Sequence, residues 1–305
     1  MVENLLTTNH LSKKYNSHFV VDNVNIHVKK GSIYGLVGRN GAGKTTCMRM
    51  LSGLASPSSG SITFFGKTSP NIQKYFSRIG VLIESPGLYG EMSAFDNMRL
   101  KQIAVGLKGK NHIPAILELV GLEHTKNKKT KNFSLGMKQR LGIAIALIGE
   151  PDLLILDEPI NGLDPQGIAE LRETLVKLTE KKNITIIISS HILEELAKMA
   201  TTYGFIDKGK LIQEISHDEL MEKTKEYTQL QLEDTSAAAV VIEEMGITDY
   251  IVKDATTIQI YEKQISSKKI AAQLAQANVL VDSISISHQS LENYFLNLTG
   301  GITHA

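Results

Sequence analysis

The chain has 305 residues, 42% hydrophobic and 21% charged, with a formal charge of +1. That balance is ordinary for a globular protein, and the length predicts a main domain followed by a smaller one. The near-zero charge offers no bulk attraction for nucleic acid or acidic lipid, so no nucleic-acid partner is expected; the single cysteine, Cys47, excludes an intrachain disulfide and fits a reducing compartment.

In chain order, the first ~75 residues alternate short β-rich runs with turns. Phe19–Val28 and Ser32–Val37 read as strands, and Lys44–Leu54 as a helix opened by a glycine-rich turn. From about Ser93 to Leu147 the pattern is mostly helical, with a polar break at Glu123–Asn132. Leu153–Leu156 is a continuous apolar run ending in acids, the pattern of a strand buried on both faces. Ile168–Lys182 predicts an amphipathic helix, Ile184–Ser189 a second buried strand, Leu193–Ala200 a helix, and Thr202–Ile212 a hairpin around Lys208–Gly209. After about Met221 the order β-α-β-β-α-β predicts a small split-βαβ unit, closed by a helix at Leu291–Leu298. No apolar stretch approaches the ~20 residues of a membrane span, and the N-terminus lacks the basic start and apolar core of a signal peptide. Any work at a membrane needs another chain to do the spanning.

Gly38-Arg39-Asn40-Gly41-Ala42-Gly43-Lys44-Thr45, followed by Thr46, fits G-x-x-x-x-G-K-[ST] between a strand and a helix. Glycines let successive backbone N–H groups point at phosphate oxygens, and the helix start adds its positive dipole end. Lys44 supplies a compact charge to the β and γ phosphates of ATP, and the Thr45 hydroxyl is a ligand for Mg2+. Asp157 and Glu158 close the buried strand Leu153–Leu156. Alternation along a strand predicts that they face different ways, Asp157 toward the metal and Glu158 toward the attacking water as base.

Phe133-Ser134-Leu135-Gly136-Met137-Lys138-Gln139-Arg140 resembles the signature motif of ATP-binding-cassette (ABC) ATPases. Ser134 is a good N-cap for the helix that follows. Tyr15 resembles the family's adenine-stacking aromatic, against the alternative of an ordinary strand-end tyrosine. Asn161-Gly162-Leu163-Asp164 resembles the D-loop, and His191 the switch histidine, against a structural one. The resemblance implies an α/β fold. Residues 3–221 would form an ABC ATPase domain with a RecA-like core, an antiparallel β subdomain and a helical subdomain at about 88–147. Residues 222–305 would form a small C-terminal α+β domain. It also implies a head-to-tail dimer, in which ATP lies between the phosphate loop of one copy and Ser134–Gly136 of the other.

Two departures stand out. The usual signature Leu-Ser-Gly-Gly-Gln is altered at Phe133, Leu135 and Met137, while Ser134 and Gly136 remain. Glu84, in Ile79-Gly80-Val81-Leu82-Ile83-Glu84-Ser85-Pro86, stands where most cassettes have Gln beside the metal. Glu keeps an oxygen ligand but loses the amide donors; a neutral swap is the alternative. This Glu, the signature and the ending Leu291–Gly301 are similar to the branch that holds the ATPases of lantibiotic-immunity and bacitracin-resistance transporters. The resemblance implies a bacterial subunit, peripheral on the cytoplasmic face of the membrane. It would bind transmembrane permeases that handle a peptide antibiotic as cargo. An exporter of lipid or polysaccharide, a soluble non-transport cassette protein and a catalytically dead regulatory cassette are the alternatives.

Overall fold

The computed structural model describes residues 3–68, 71–107, 112–125, 127–262, 265–288 and 290–300. The chain divides into two units, Met1–His217 and Asp218–Ala305.

In the first unit an antiparallel sheet is built from β1 (Asn4–Tyr15), β2 (His18–Val24) and β3 (His27–Lys29), which all pair through β1. The run Phe19–Val28 is therefore two strands, not one. Asn23 takes a left-handed φ of 60°, and its side-chain oxygen lies 2.8 Å from Nδ1 of His10, so the chain turns off one end of β1 and onto the other. After β4 (Ile33–Val37) and α1 (Lys44–Leu51), the strands β5 (Ser59–Phe64) and β6 (Lys67–Thr68) complete this sheet in the order β2-β1-β5-β6. Helix α1 stops three residues before the predicted Leu54, at a C-terminal turn in which Gly53 has φ +76°.

A second sheet forms the core. Its strands are β4, β7 (Ile79–Leu82), β8 (Leu153–Leu156), β9 (Thr185–Ser190), β10 (Thr202–Asp207) and β11 (Lys210–Ser216), in the order β11-β10-β4-β9-β8-β7. All neighbours are parallel except the β10–β11 hairpin. Lys208 and Gly209 have φ of 47° and 81°, as a two-residue type I′ turn requires. Every residue of β4, β8 and β9 is buried, which explains their unbroken apolar runs. Between β7 and β8 the chain forms α2 (Ala94–Ala104), α3 (Ile113–Leu119) and α4 (Leu135–Ala146), which pack on one another. Ser93 and Asp96 form a capping box at the start of α2. Then come α5 (Pro165–Lys182) after β8 and α6 (Leu193–Ala197) after β9.

The second unit begins within α7 (His217–Lys223), so the 221/222 boundary read from the sequence falls inside a helix. It continues through β12 (Glu226–Leu232), α8 (Thr235–Glu244), β13 (Tyr250–Val252), β14 (Thr257–Ile260), α9 (Ser267–Gln276), β15 (Val281–His288) and α10 (Leu291–Leu298). The sheet is fully antiparallel in the order β13-β14-β12-β15, so β14 lies between the two strands that α8 connects. Leu230, Leu232, Ile258 and Ile260 pack with Ile242, Ile270 and Leu274 of α8 and α9. Of the family-like ending, Gly301 lies outside the described residues.

Candidate nucleotide site

Three neighbouring parallel strands, β4, β9 and β8, end side by side, with Val37 opposite Ser190 and Leu156 opposite Ile188. In such sheets ligands bind at the carboxyl ends of the strands. The phosphate loop follows β4, Asp157 and Glu158 follow β8, and His191 follows β9. Topology therefore brings together residues up to 153 positions apart in the chain.

The loop has little room for side chains. A Cβ on Gly38 would lie 2.5 Å from the carbonyl oxygen of Ile206, and one on Gly43 2.6 Å from that of Val20. Gly43 also takes φ +106°, a conformation that side chains disfavour. The β10–β11 turn braces the loop from behind, because Gly209 N donates to Ala42 O at 2.9 Å and Asp22 N to Gly209 O at 2.8 Å. Arg39, Asn40 and Gly41 are exposed at its tip, whereas Thr45 and Thr46 are half-buried in the first turn of α1.

Lys44 is 5% exposed. Its ammonium donates to the carbonyl oxygens of Gly38 (2.6 Å) and Arg39 (3.1 Å) and lies 3.0 Å from Glu158 Oε1. That last contact is Coulombic, since Oε1 is buried and off the hydrogen-bonding line of any donor among the described residues. Nδ1 of His191 lies 2.9 Å from the other oxygen, Oε2. A second chain of contacts runs alongside. Thr45 Oγ1 donates to Asp157 Oδ2 (2.6 Å), Ser189 Oγ donates to Asp157 Oδ1 (2.6 Å), and Glu158 N donates to Ser189 Oγ (2.8 Å).

Asp157 and Glu158 do face different partners, but strand alternation is not the reason. Both lie beyond the end of β8, and Glu158 takes a left-handed φ of 47°. Such a conformation costs a non-glycine residue about 1 kcal/mol or more and concentrates at functional sites.

The other predicted residues lie apart from this cluster. Ser134 N-caps α4 by accepting from Met137 N at 3.2 Å, and it is exposed. Asp164 N-caps α5 by accepting from Gly167 N at 3.0 Å. The two caps are neighbours, since a Cβ on Gly136 would lie 3.7 Å from Gly167 Cα and 3.8 Å from Leu163 Cδ2. Tyr15 ends β1, 47% exposed, with the Lys13 ammonium 5.1 Å from its ring centre. Glu84 does not join the Thr45–Asp157 pair; its carboxylate accepts from Arg49 of α1.

The ABC transporter family matches this chain at residues 21–161. A bacitracin transport ATP-binding protein of Bacillus licheniformis is 44% identical over 301 residues, which cover 98% of each chain. The chain belongs to the ABC transporter ATP-binding proteins. A lantibiotic transport ATP-binding protein of Streptococcus pyogenes is 47% identical over 214 residues, 70% of this chain and 92% of the relative. A solved ATP-binding subunit of an ABC transporter is 31% identical, with a TM-score of 0.62 over 72% of this chain and 92% of its own. This ABC ATPase thus binds and hydrolyses ATP.

Sequence reasoning missed two polar residues that contact predicted site carboxylates. Ser189 closes an isoleucine run and reads as core, although a buried hydroxyl at the carboxyl end of a site strand was a usable signal. Arg49 belongs to no motif singled out in the sequence, yet its i+4 spacing from Thr45 places both on one helical face.

Proposed function

We propose that this chain is the motor of a membrane transporter that exports a peptide antibiotic, or removes one from the membrane, giving immunity or resistance. The observation that carries this reading is similarity to a bacitracin transport ATP-binding protein along 98% of both chains, the C-terminal unit included. Among the described residues no helix is long and apolar enough to cross a membrane. In this reading the chain is a peripheral subunit on the cytoplasmic face, and partner permeases span the bilayer and hold the cargo.

The geometry supports the following roles. Lys44 and the loop N–H groups bind the phosphates. Thr45 Oγ1 and Asp157 Oδ2 present two hard oxygens 2.6 Å apart, and Ser189, donating to Asp157 Oδ1, orients that carboxylate. Such oxygens suit Mg2+, which takes few protein ligands and completes its shell with water and phosphate oxygens. Bound there, Mg2+ would neutralise phosphate charge. Glu158, fixed between Lys44 and His191, accepts a proton from the attacking water. His191 donates to Glu158 Oε2 and keeps the carboxylate oriented. Tyr15 stacks on adenine. Ser134, exposed at the start of α4, and the half-buried Gly136 meet the γ-phosphate held by a second copy, and Asp164 anchors the loop beside them. A cleft of about 800 Å³, lined by α3 and the end of α5, contains none of these residues. A phosphate site that is open in one chain and closed by its mate fits that picture.

The test is expression of the chain with its neighbouring permease genes in a sensitive bacterium. Resistance to bacitracin or a lantibiotic is expected, and Glu158→Gln should abolish it. Unchanged sensitivity to every peptide tested, with tolerance of a lipid or sugar-polymer load instead, would move the cargo to that class.

A further inference from the structure

We propose that Arg49 is a positioning residue for Glu84: it holds this carboxylate one helical turn from the Thr45–Asp157 pair and thereby sets how strongly nucleotide binding depends on magnesium. The inference rests on the reading of Thr45 and Asp157 as magnesium donors.

Thr45 and Arg49 are four residues apart on α1, so they share a face one turn apart. Opposite them, β7 and β8 run parallel with Leu82 beside Leu156, and Asp157 N donates to Leu82 O at 2.8 Å. Glu84 follows two residues later. The two strand ends thus offer two carboxylates to one helix face, Asp157 to Thr45 and Glu84 to Arg49. Glu84 takes φ +64° and is 64% exposed, and Arg49 is 41% exposed. An ion pair this open is weak, so the carboxylate is held but releasable.

The charge balance explains the need for a holder. Asp157 and Glu158 already stand beside the phosphates. A further carboxylate would repel nucleotide that arrives without metal. Arg49 cancels that charge where it arises. Once Mg2+ is present, Glu84 has a hard cation to compete for, and release from Arg49 adds an oxygen to the metal's surroundings. Removing Arg49 should act in two opposite directions: weaker binding of metal-free ATP and tighter coupling to Mg2+.

The experiment measures binding of a fluorescent ATP analogue to the purified full chain as Mg2+ is titrated, in wild type, Arg49→Gln, Arg49→Lys, Glu84→Gln and the Arg49→Gln/Glu84→Gln double variant. Phosphate release is followed in parallel. Arg49→Gln is expected to lower the half-saturating Mg2+ concentration about 3- to 5-fold and to weaken metal-free binding by a similar factor, the range of an exposed pair. Arg49→Lys should restore the wild-type midpoint. In the Glu84→Gln background, Arg49→Gln should shift nothing. Equal midpoints for wild type and Arg49→Gln overturn the proposal, as does an equal shift with and without Glu84. Asp157→Asn is the control for the underlying reading. If it leaves the Mg2+ midpoint unmoved, the magnesium donors are wrongly assigned and the inference falls with them.

Discussion

Ser189 is a single hydroxyl that sets the direction of both site acids. It is fully buried, donates to Asp157 Oδ1 and accepts from Glu158 N. Ser189→Ala leaves a buried carboxylate oxygen and a backbone N–H each short of a partner, about 1–3 kcal/mol for each group. Phosphate release should fall at least ~10-fold, since loss of orientation adds to that cost, while ATP still binds through the loop. A rate equal to wild type would mean that Asp157 and Glu158 orient themselves. Cys47, two residues after Thr45, behaves differently. Burial pushes its thiol up from the ordinary 9.0 to about 12, so it stays protonated and unreactive in the native state. Below pH 9 both folded and unfolded chains hold the proton and stability is unaffected. Between pH 9 and 12 the unfolded chain releases it and the folded chain does not, so stability declines. Melting temperatures followed from pH 8 to 10.5 should fall more steeply for wild type than for Cys47→Ala; parallel slopes would contradict the buried thiol's part.

At the scale of elements, the phosphate loop is held between β2 and the β10–β11 turn, and glycine is what allows the approach. Gly43→Ala puts a Cβ 2.6 Å from Val20 O at φ +106°. Backbone must move, at a cost of about 2–4 kcal/mol, and chemical denaturation should show it together with loss of ATP binding. Normal stability would mean that the loop is not braced as described. This loop was legible in the sequence because its chemistry is written in eight consecutive residues between a strand and a helix. Leu153–Glu158 was legible for the same reason, as local pattern. The split of Phe19–Val28 was hidden, because the left-handed turn at Asn23 depends on His10, thirteen residues earlier and across a sheet. Arg49 and Ser189 were hidden too, since each gains meaning from a partner more than thirty residues away. The turn that separates Asp157 from Glu158 was misread as strand alternation, since strand ends are set by pairing with neighbours that the local pattern does not contain.

For the molecule as a whole, the proposed motion is closure of two copies over ATP, and Gly136 tests it without disturbing the monomer. Gly136 is the second residue of α4, and a Cβ there meets only ordinary contacts at 3.7 and 3.8 Å. Aspartate at a helix start is compatible with the helix dipole, worth about 0.3–1 kcal/mol in its favour. Gly136→Asp should therefore melt within a few degrees of wild type and bind ATP as a monomer. Facing the γ-phosphate of a second copy, the same carboxylate is a like charge in a dry contact. Glu158→Gln, expected to stop turnover, should convert to a dimer on adding ATP, as read by light scattering. The Glu158→Gln/Gly136→Asp double variant should stay monomeric, and Gly136→Asp alone should lose at least ~10-fold in ATP turnover. An ATP-dependent dimer that survives Gly136→Asp would place the closing surface elsewhere, and Ser134 and Gly136 would then be no more than the start of a helix.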